Sequence, residues 1–362
     1  MGRLFLRNLH LRALSKGLIL ILMLFLYAPL LFASPTIAPP PATVYYTGES
    51  EAMDPIQGVR PQIVQSMVDR LLLAMTGRSS IAEAWGSLVK PSDRIGIKVS
   101  ASGGAISGTH PAVVEAIARG LIAAGVPRNH ILVWDRNLED LIAAGYSTKS
   151  PYYVLQWIDS ADGYDMQTMV SSPVVGRLVW GDSRFGKRPG SRLVDLLAGG
   201  EQLSSESFYT KILTREVDKV INVPSLLDSY LTGIQGALVN MTLQNIDNWR
   251  RFTKESGASY IAEIYADEAI RPKVLLTILD ALVLQFAGGP FPNPGYTAIK
   301  NNLFLSRDPV AIDATAIRMI DEFRVSNRLP KCAELASYVQ VASQMGIGQA
   351  DEKNIILKGV FK

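Results

Sequence analysis

The sequence predicts an α/β protein: a mostly parallel sheet with helices on both faces, Rossmann-like in its layering, interrupted by one irregular insertion. Three observations lead there. Short apolar runs alternate with amphipathic stretches of helical period. Gly125 and Gly145 fall where helices of that phase must end. Polar residues follow each apolar run, the pattern of strand ends that open onto a crevice.

Residues 94–99 read as the first strand of the unit and 111–124 as its helix. Residues 131–134 form the next strand and 138–144 a short helix, which completes a βαβ unit. The runs 219–223, 274–279 and 303–306 read as further buried strands, and 309–322 and 333–345 as helices after the last of them. Residues 146–200 mix Gly, Pro, Ser and aromatics without a period and are expected to form the insertion or a lid. No internal repeat is present.

Ahead of this domain, Arg3, Arg7, Arg12 and Lys16 precede an apolar run over 17–32. A basic flank before such a run is an export signal or an N-terminal membrane anchor, assigned here to residues 1–33, and it carries the rest of the chain across the cytoplasmic membrane. Ala33 offers a small residue for cleavage, whereas Leu31 and Pro35 do not suit it, so cleaved and retained forms both stay open. The Pro-rich 34–58 stretch is a stiff linker and lead-in. Residues 59–362 are long enough for a full core.

Net charge is +3 over 362 residues, and part of it sits in the basic flank. The domain is therefore near neutral, which argues against a nucleic-acid partner. The single cysteine, Cys332, excludes an internal disulfide, an iron–sulfur cluster and a cysteine zinc site. Of the three histidines, His10 lies in the basic flank, His110 beside Pro111 reads as a helix cap, and His130 opens a strand. No transition-metal spacing and no nucleophile elbow are present.

Candidate site residues come from the strand ends. Lys98 and Ser100 lie at the first, Asp135 and Arg136 at the second, Asn222 at the third, Asp280 at the fourth, and Asp308 at the last. Residues 220–252 are unusually dense in Asn, Gly and Arg, and Asn240, Asn245 and Arg250 join the set as groups that suit a small polar or anionic ligand. The loop with Gly103, Gly104 and Gly108 matches neither a dinucleotide fingerprint nor a P-loop, and leaves only a helix start at which an anion is favoured. Asp280, Asp308 or Asp313 can supply oxygens to a hard cation, although no spacing demands one. The bland alternative is that these residues cap helices and pair with one another.

Several blocks together resemble a bacterial family, the domain of unknown function 362: Ile95-Gly-Ile-Lys-Val99, Ile131-Leu-Val-Trp-Asp-Arg136, Ile221-Asn-Val-Pro224, Gly233-Ile-Gln-Gly-Ala-Leu-Val-Asn-Met241 and Ser306-Arg-Asp-Pro-Val-Ala-Ile-Asp313. The resemblance runs from about residue 59 to residue 354. It implies an exported α/β protein, and little about activity; some members carry ferredoxin-type clusters, for which this chain lacks the cysteines. Relative to the family pattern, Ser100 replaces an asparagine, Leu227 and Val239 replace lysines, and Ser229 and Thr253 replace histidines. Those exchanges remove acid/base groups while Lys98, Asp135, Arg136, Asn222, Asn240, Asn245, Arg250, Asp308 and Asp313 are kept.

The expectation is an exported ligand-binding protein with reduced chemistry. An active cation-dependent hydrolase or transferase using Asp135, Asp280 and Asp308 is the first alternative. A membrane-tethered interaction protein with a vestigial site is the second.

Overall fold

The structure is a computed structural model and describes residues 39–54, 56, 58–178, 203–253 and 259–361. The segment read as a signal or anchor, and residues 179–200 of the expected insertion, lie outside the described residues. Among the described residues, no helix is long and apolar enough to cross a membrane.

Among the described residues fourteen strands are formed: β1 (Ala42–Gly48), β2 (Met53–Asp54), β3 (Gly58–Val59), β4 (Ile95–Val99), β5 (Ile131–Asp135), β6 (Val154–Trp157), β7 (Tyr164–Arg177), β8 (Leu203–Thr210), β9 (Lys219–Val223), β10 (Ser225–Ser229), β11 (Gly233–Ile234), β12 (Val274–Gln285), β13 (Thr297–Ser306) and β14 (Ile355–Gly359). The main sheet runs β14-β1-β13-β12-β9-β4-β5-β6. β12, β9, β4, β5 and β6 are mutually parallel, β13 is antiparallel to β12 and β1, and β14 lies parallel to β1. The long β12 pairs with β9 along its first half and with β10 along its second. β7 and β8 form a separate antiparallel ribbon.

Side chains alternate across the sheet, so its two faces meet separate cores. Ile95, Ile97, Val99, Ile131, Val133, Ile221 and Val223 enter one apolar cluster, built with helices Pro61–Thr76, Ile81–Gly86 and Pro111–Ala123. Leu132, Trp134 and Val220 enter the other, with Ile261, Ile264, Tyr338 and Ala342 from the opposite layer. Helix Pro309–Ser326 covers β1, β12 and β13 on that second side. Burial on both faces is why the strands read as unbroken apolar runs rather than alternating ones.

The mixed, mostly parallel sheet layered with helices is the α/β class that the sequence predicts. Gly125 and Gly145 take φ of 90° and 93°, the left-handed geometry of a helix stop. Two strands are longer than expected, β12 and β13: the second half of β12 pairs with the first half of β13 on one side and with β10 on the other. Within 146–200, residues 154–157 are not insertion but the edge strand β6 of the main sheet. Its single buried side chain, Leu155, gave no period to read. The last expected helix contracts to Tyr338–Gln344, preceded by a turn at Cys332–Glu334.

Candidate functional site

From β4 the chain steps outward through β5 to β6, then returns to place β9 on the other side of β4. The β4/β9 boundary is therefore the topological switch point, and a crevice belongs at the C-terminal ends of these strands. Lys98 stands in register with both Trp134 and Asn222, so the three share one face of the sheet. Helix Ala237–Met241 closes over that face.

A buried lysine needs a counter-charge and three acceptors. Lys98 is fully buried, and its Nζ donates to Asp135 Oδ1 at 2.7 Å, to Asn240 Oδ1 at 3.0 Å and to the Val99 carbonyl at 2.6 Å. Burial pulls the ammonium pKa below its ordinary value, with Asp135 opposing. Asp135 also accepts from the backbone N–H groups of Ala101, at 2.6 Å, and Arg136, at 2.8 Å. Asn240 passes the network on to Asn222 Oδ1 at 2.8 Å, and Asn222 donates to the Ala237 carbonyl at 2.9 Å.

The glycine loop after β4 turns inward in the same way. Gly104 N donates to Ala101 O, Ser107 N to Gly103 O and Gly108 N to Gly104 O. The anion this loop meets is Asp135, the protein's own carboxylate.

The polar richness of 220–252 has a structural cause. Asn245 accepts from Trp134 Nε1 at 2.9 Å and donates to the carbonyls of Asn240 and Met241. Asp247 accepts from Phe208 N, and Asn248 donates to the carbonyls of Ser204 and Glu206. Arg251 donates to Val170 O, Val174 O and Ser207 Oγ, clasping the β7–β8 ribbon. Buried irregular backbone has no ladder to satisfy it, and these side chains do so instead. Lys98, Ser100, Asn222, Asn240 and Asn245, expected to touch ligand, are buried scaffold behind the crevice. Ser100 is locked there too, its N–H donating to Thr109 Oγ1 at 2.9 Å.

A cavity of about 150 Å³ opens in front of this network. Of the expected residues, Asp135 and Arg136 line it. The other walls are Ser102, Asn137, Asp140, Ser229, Thr232, Gln235 and Gln244, the apolar Leu231, Val239, Leu243 and Pro290, and the aromatic surfaces of Tyr230, Trp249 and Phe291. The Arg136 guanidinium donates to Tyr164 Oη at 2.9 Å and to the carbonyls of Leu243 and Ile246, and lies 5.7 Å from the Trp249 ring centre. Partial burial pushes the Asp140 carboxyl up, against the hydrogen bond from Asn137. Sequence reasoning missed most of these walls. Their signal was the aromatics Tyr230, Trp249 and Phe291 standing inside polar loops, Tyr230 and Phe291 largely exposed there.

The remaining candidates lie elsewhere. Arg250 is exposed and lines an adjoining groove, its guanidinium 4.8 Å from the Trp249 ring centre. Asp280 accepts from His110 Nδ1 at 2.8 Å and from His110 N at 2.7 Å; His110 does precede a helix, but its ring reaches across to β12 rather than capping. Asp308 caps helix Pro309–Ser326 through Ala311 N at 2.9 Å and holds Gln349 N at 2.8 Å. Asp313 is fully buried, accepts from Ala237 N and Leu238 N, and is pushed by desolvation up to about 7. Gly236 permits this approach, since any Cβ there would meet the Asp313 carboxylate. Among the described residues no three His, Cys, Asp or Glu side chains converge as a metal-holding group. Cys332 is buried among apolar side chains.

Comparison with curated proteins gives no match. Among solved structures, a Thermotoga maritima protein determined as a structural-genomics target aligns at a TM-score of 0.37 and 11% identity, covering 75% of this chain and 60% of that one. The chain thus spans less than two thirds of that protein's length. Asn222, Asn240, Asp280, Asp308 and Asp313 fall within residues 189–318, and this is the stretch that matches the family model of the domain of unknown function DUF362.

Proposed function

We propose that the protein is exported and binds a small polar ligand in the cavity at the β4/β5/β9 strand ends. One observation carries this reading: a cavity at the switch point mixes amide, hydroxyl and carboxylate groups with three aromatic surfaces, while the strongest local charge pair, Lys98–Asp135, is neutralised within the wall. Such a wall offers directional hydrogen bonds to a neutral or weakly charged molecule. The basic flank and apolar run at 3–32 support delivery outside the cytoplasm, with membrane attachment wherever that run is retained. Binding rather than turnover is favoured because Asp280 and Asp308, two of the three carboxylates suited to acid/base work, are engaged by the protein's own donors away from the cavity.

Native mass spectrometry of the full chain in mild detergent, against a panel of small sugars, amino acids and carboxylic acids, tests the reading. Ser102→Phe fills the cavity without removing a network bond. The expected result is a ligand adduct that Ser102→Phe eliminates at unchanged melting temperature. Equal binding by wild type and Ser102→Phe would place the ligand elsewhere.

A further inference from the structure

The charged groups at the end of β5 divide into a closed pair and an open one. Asp135 is closed: its Oδ1 accepts from Lys98 Nζ at 2.7 Å and from Arg136 N at 2.8 Å, and its Oδ2 accepts from Ala101 N at 2.6 Å. Arg136 and Asp140 line the same cavity, and among the described residues no ion pair engages either of them. The Arg136 guanidinium gives its three described hydrogen bonds to neutral oxygens, Tyr164 Oη and the carbonyls of Leu243 and Ile246, and so keeps its charge. The Asp140 carboxylate accepts from the neutral Asn137 amide at 2.9 Å. Resting on the polar-ligand reading above, we propose that the cavity takes a zwitterion, a free α-amino acid with an aliphatic side chain: its carboxylate faces Arg136, its ammonium faces Asp140, and its side chain packs against Val239, Leu243 and Pro290.

The charges select the class of ligand. With Lys98 and Asp135 cancelling each other at the wall, the cavity keeps one positive and one negative group. Their complement is a molecule that carries one charge of each sign and has no net charge. A simple carboxylic acid would satisfy Arg136 and be repelled by Asp140, and a simple amine would do the reverse. A sugar would use neither charge. Burial pushes the Asp140 carboxyl up, and the Arg136 charge works against that rise. A ligand ammonium would act in the same direction as Arg136 and add charge-assisted hydrogen bonds to the carboxylate. The side chain follows from the rest of the lining. Leu231, Val239, Leu243 and Pro290, beside Trp249 and Phe291, offer apolar surface that a wholly polar ligand would leave unused. A volume of about 150 Å³ is the size of an apolar cavity that holds one benzene molecule, which suits a side chain of valine or leucine size and not one of tryptophan size.

The test is calorimetric titration of the full chain in mild detergent with leucine and valine, each beside two analogues that lack one charge. For leucine these are isocaproic acid, without the amine, and isoamylamine, without the carboxylate; for valine they are isovaleric acid and isobutylamine. At least one of the two amino acids is expected to bind about tenfold or more tightly than both of its analogues. Asp140→Asn keeps the side-chain shape and removes the negative charge. It is expected to weaken the amino acid about tenfold and the deaminated acid not at all, so that the gap between them closes at an unchanged melting temperature. A deaminated acid that binds as tightly as its amino acid would overturn the proposal, and so would a gap that Asp140→Asn leaves as wide as before. An amine that binds as tightly as its amino acid would overturn it too, by showing that Arg136 holds no carboxylate. If neither amino acid binds, the proposal falls, and the mass-spectrometric panel against Ser102→Phe decides separately whether the cavity takes another polar ligand.

Discussion

Replacing Lys98 with methionine is expected to be among the most damaging single changes in the protein. Methionine keeps the unbranched length and fills the space, so the loss isolates the charge and its hydrogen bonds. Three acceptors lose a donor together: Asp135 Oδ1, Asn240 Oδ1 and the Val99 carbonyl. A charge-assisted bond contributes about 1.5–3 kcal/mol and each buried neutral acceptor left unpaired about 1 or more, which agrees with the roughly 3–5 kcal/mol expected when one member of a buried ion pair is removed. Asp135 would retain only Ala101 N and Arg136 N in a site shielded from water. Urea unfolding of the full chain in mild detergent measures the effect. Asp135→Asn in the same background closes a double-mutant cycle, and the double variant is expected to recover at least half of the loss, because no charge then stays buried without a partner. A loss below about 1 kcal/mol in Lys98→Met, or a double variant as unstable as the sum of the singles, would refute the claim that this pair anchors the switch point.

Other perturbations probe neighbouring parts of the same scaffold. Burial works against the His110 imidazolium, yet the charge and hydrogen bond of Asp280 outweigh it and leave the pKa raised. Its stabilising contribution is then complete below the ordinary imidazole value and is lost as pH rises through the folded one, so His110→Gln should cost more stability near pH 5.5 than near pH 8.5, read from unfolding midpoints at both. Asp313 is raised from 3.8 to about 7, so the folded state holds a proton that the unfolded chain releases. Wild-type stability relative to Asp313→Asn should therefore fall as pH rises from about 4 to about 7, by up to roughly 4 kcal/mol, and a flat difference would show that the carboxyl is not protonated there. Gly236→Ala drives a Cβ into the Asp313 carboxylate and toward Ile234, and thermal unfolding should show a loss of about 2 kcal/mol or more.

The layers of the fold were legible because burial on both faces leaves a strong trace. β4, β5 and β9 are nearly uninterrupted apolar runs, and Gly125 and Gly145 mark the helix ends that follow from them. β6 was not legible. An edge strand with one buried residue in four, entered through a Pro-containing turn, has no period to detect. The strand-end candidates divide between the cavity wall and the scaffold behind it. Asp135 and Arg136 do line the cavity, whereas Asn222, Asn240 and Asn245 lie behind it. A sequence shows that a segment is polar, not whether the groups face a ligand or the segment's own backbone. Asn245 illustrates the second case, with both of its described donor bonds going to helix-end carbonyls four and five residues earlier.

That ambiguity has a physical root that also says where to look for ligand contacts in such a chain. Over residues 224–253 the backbone passes through short strands and single helical turns joined by irregular pieces and is yet deeply buried, so many of its peptide groups need partners that no long ladder provides. Asparagine, aspartate and arginine supply them, and their density measures how much coil has been buried rather than how much ligand is bound. The residues left for a ligand are those whose polarity the backbone does not use. Ser102, Asn137, Gln235 and Gln244 meet that condition more closely than the conspicuous asparagines, and they sit on the cavity wall beside Trp249. Arg136 meets both at once: its described hydrogen bonds go to two carbonyls and the Tyr164 hydroxyl, all neutral oxygens, so the residue pins the loop while its positive charge still faces the cavity. Asp135 is the contrary case, a cavity residue whose charge Lys98 already balances from behind. The pair of adjacent residues at the end of β5 thus sets the polarity of the crevice, one by cancelling its charge and the other by keeping it.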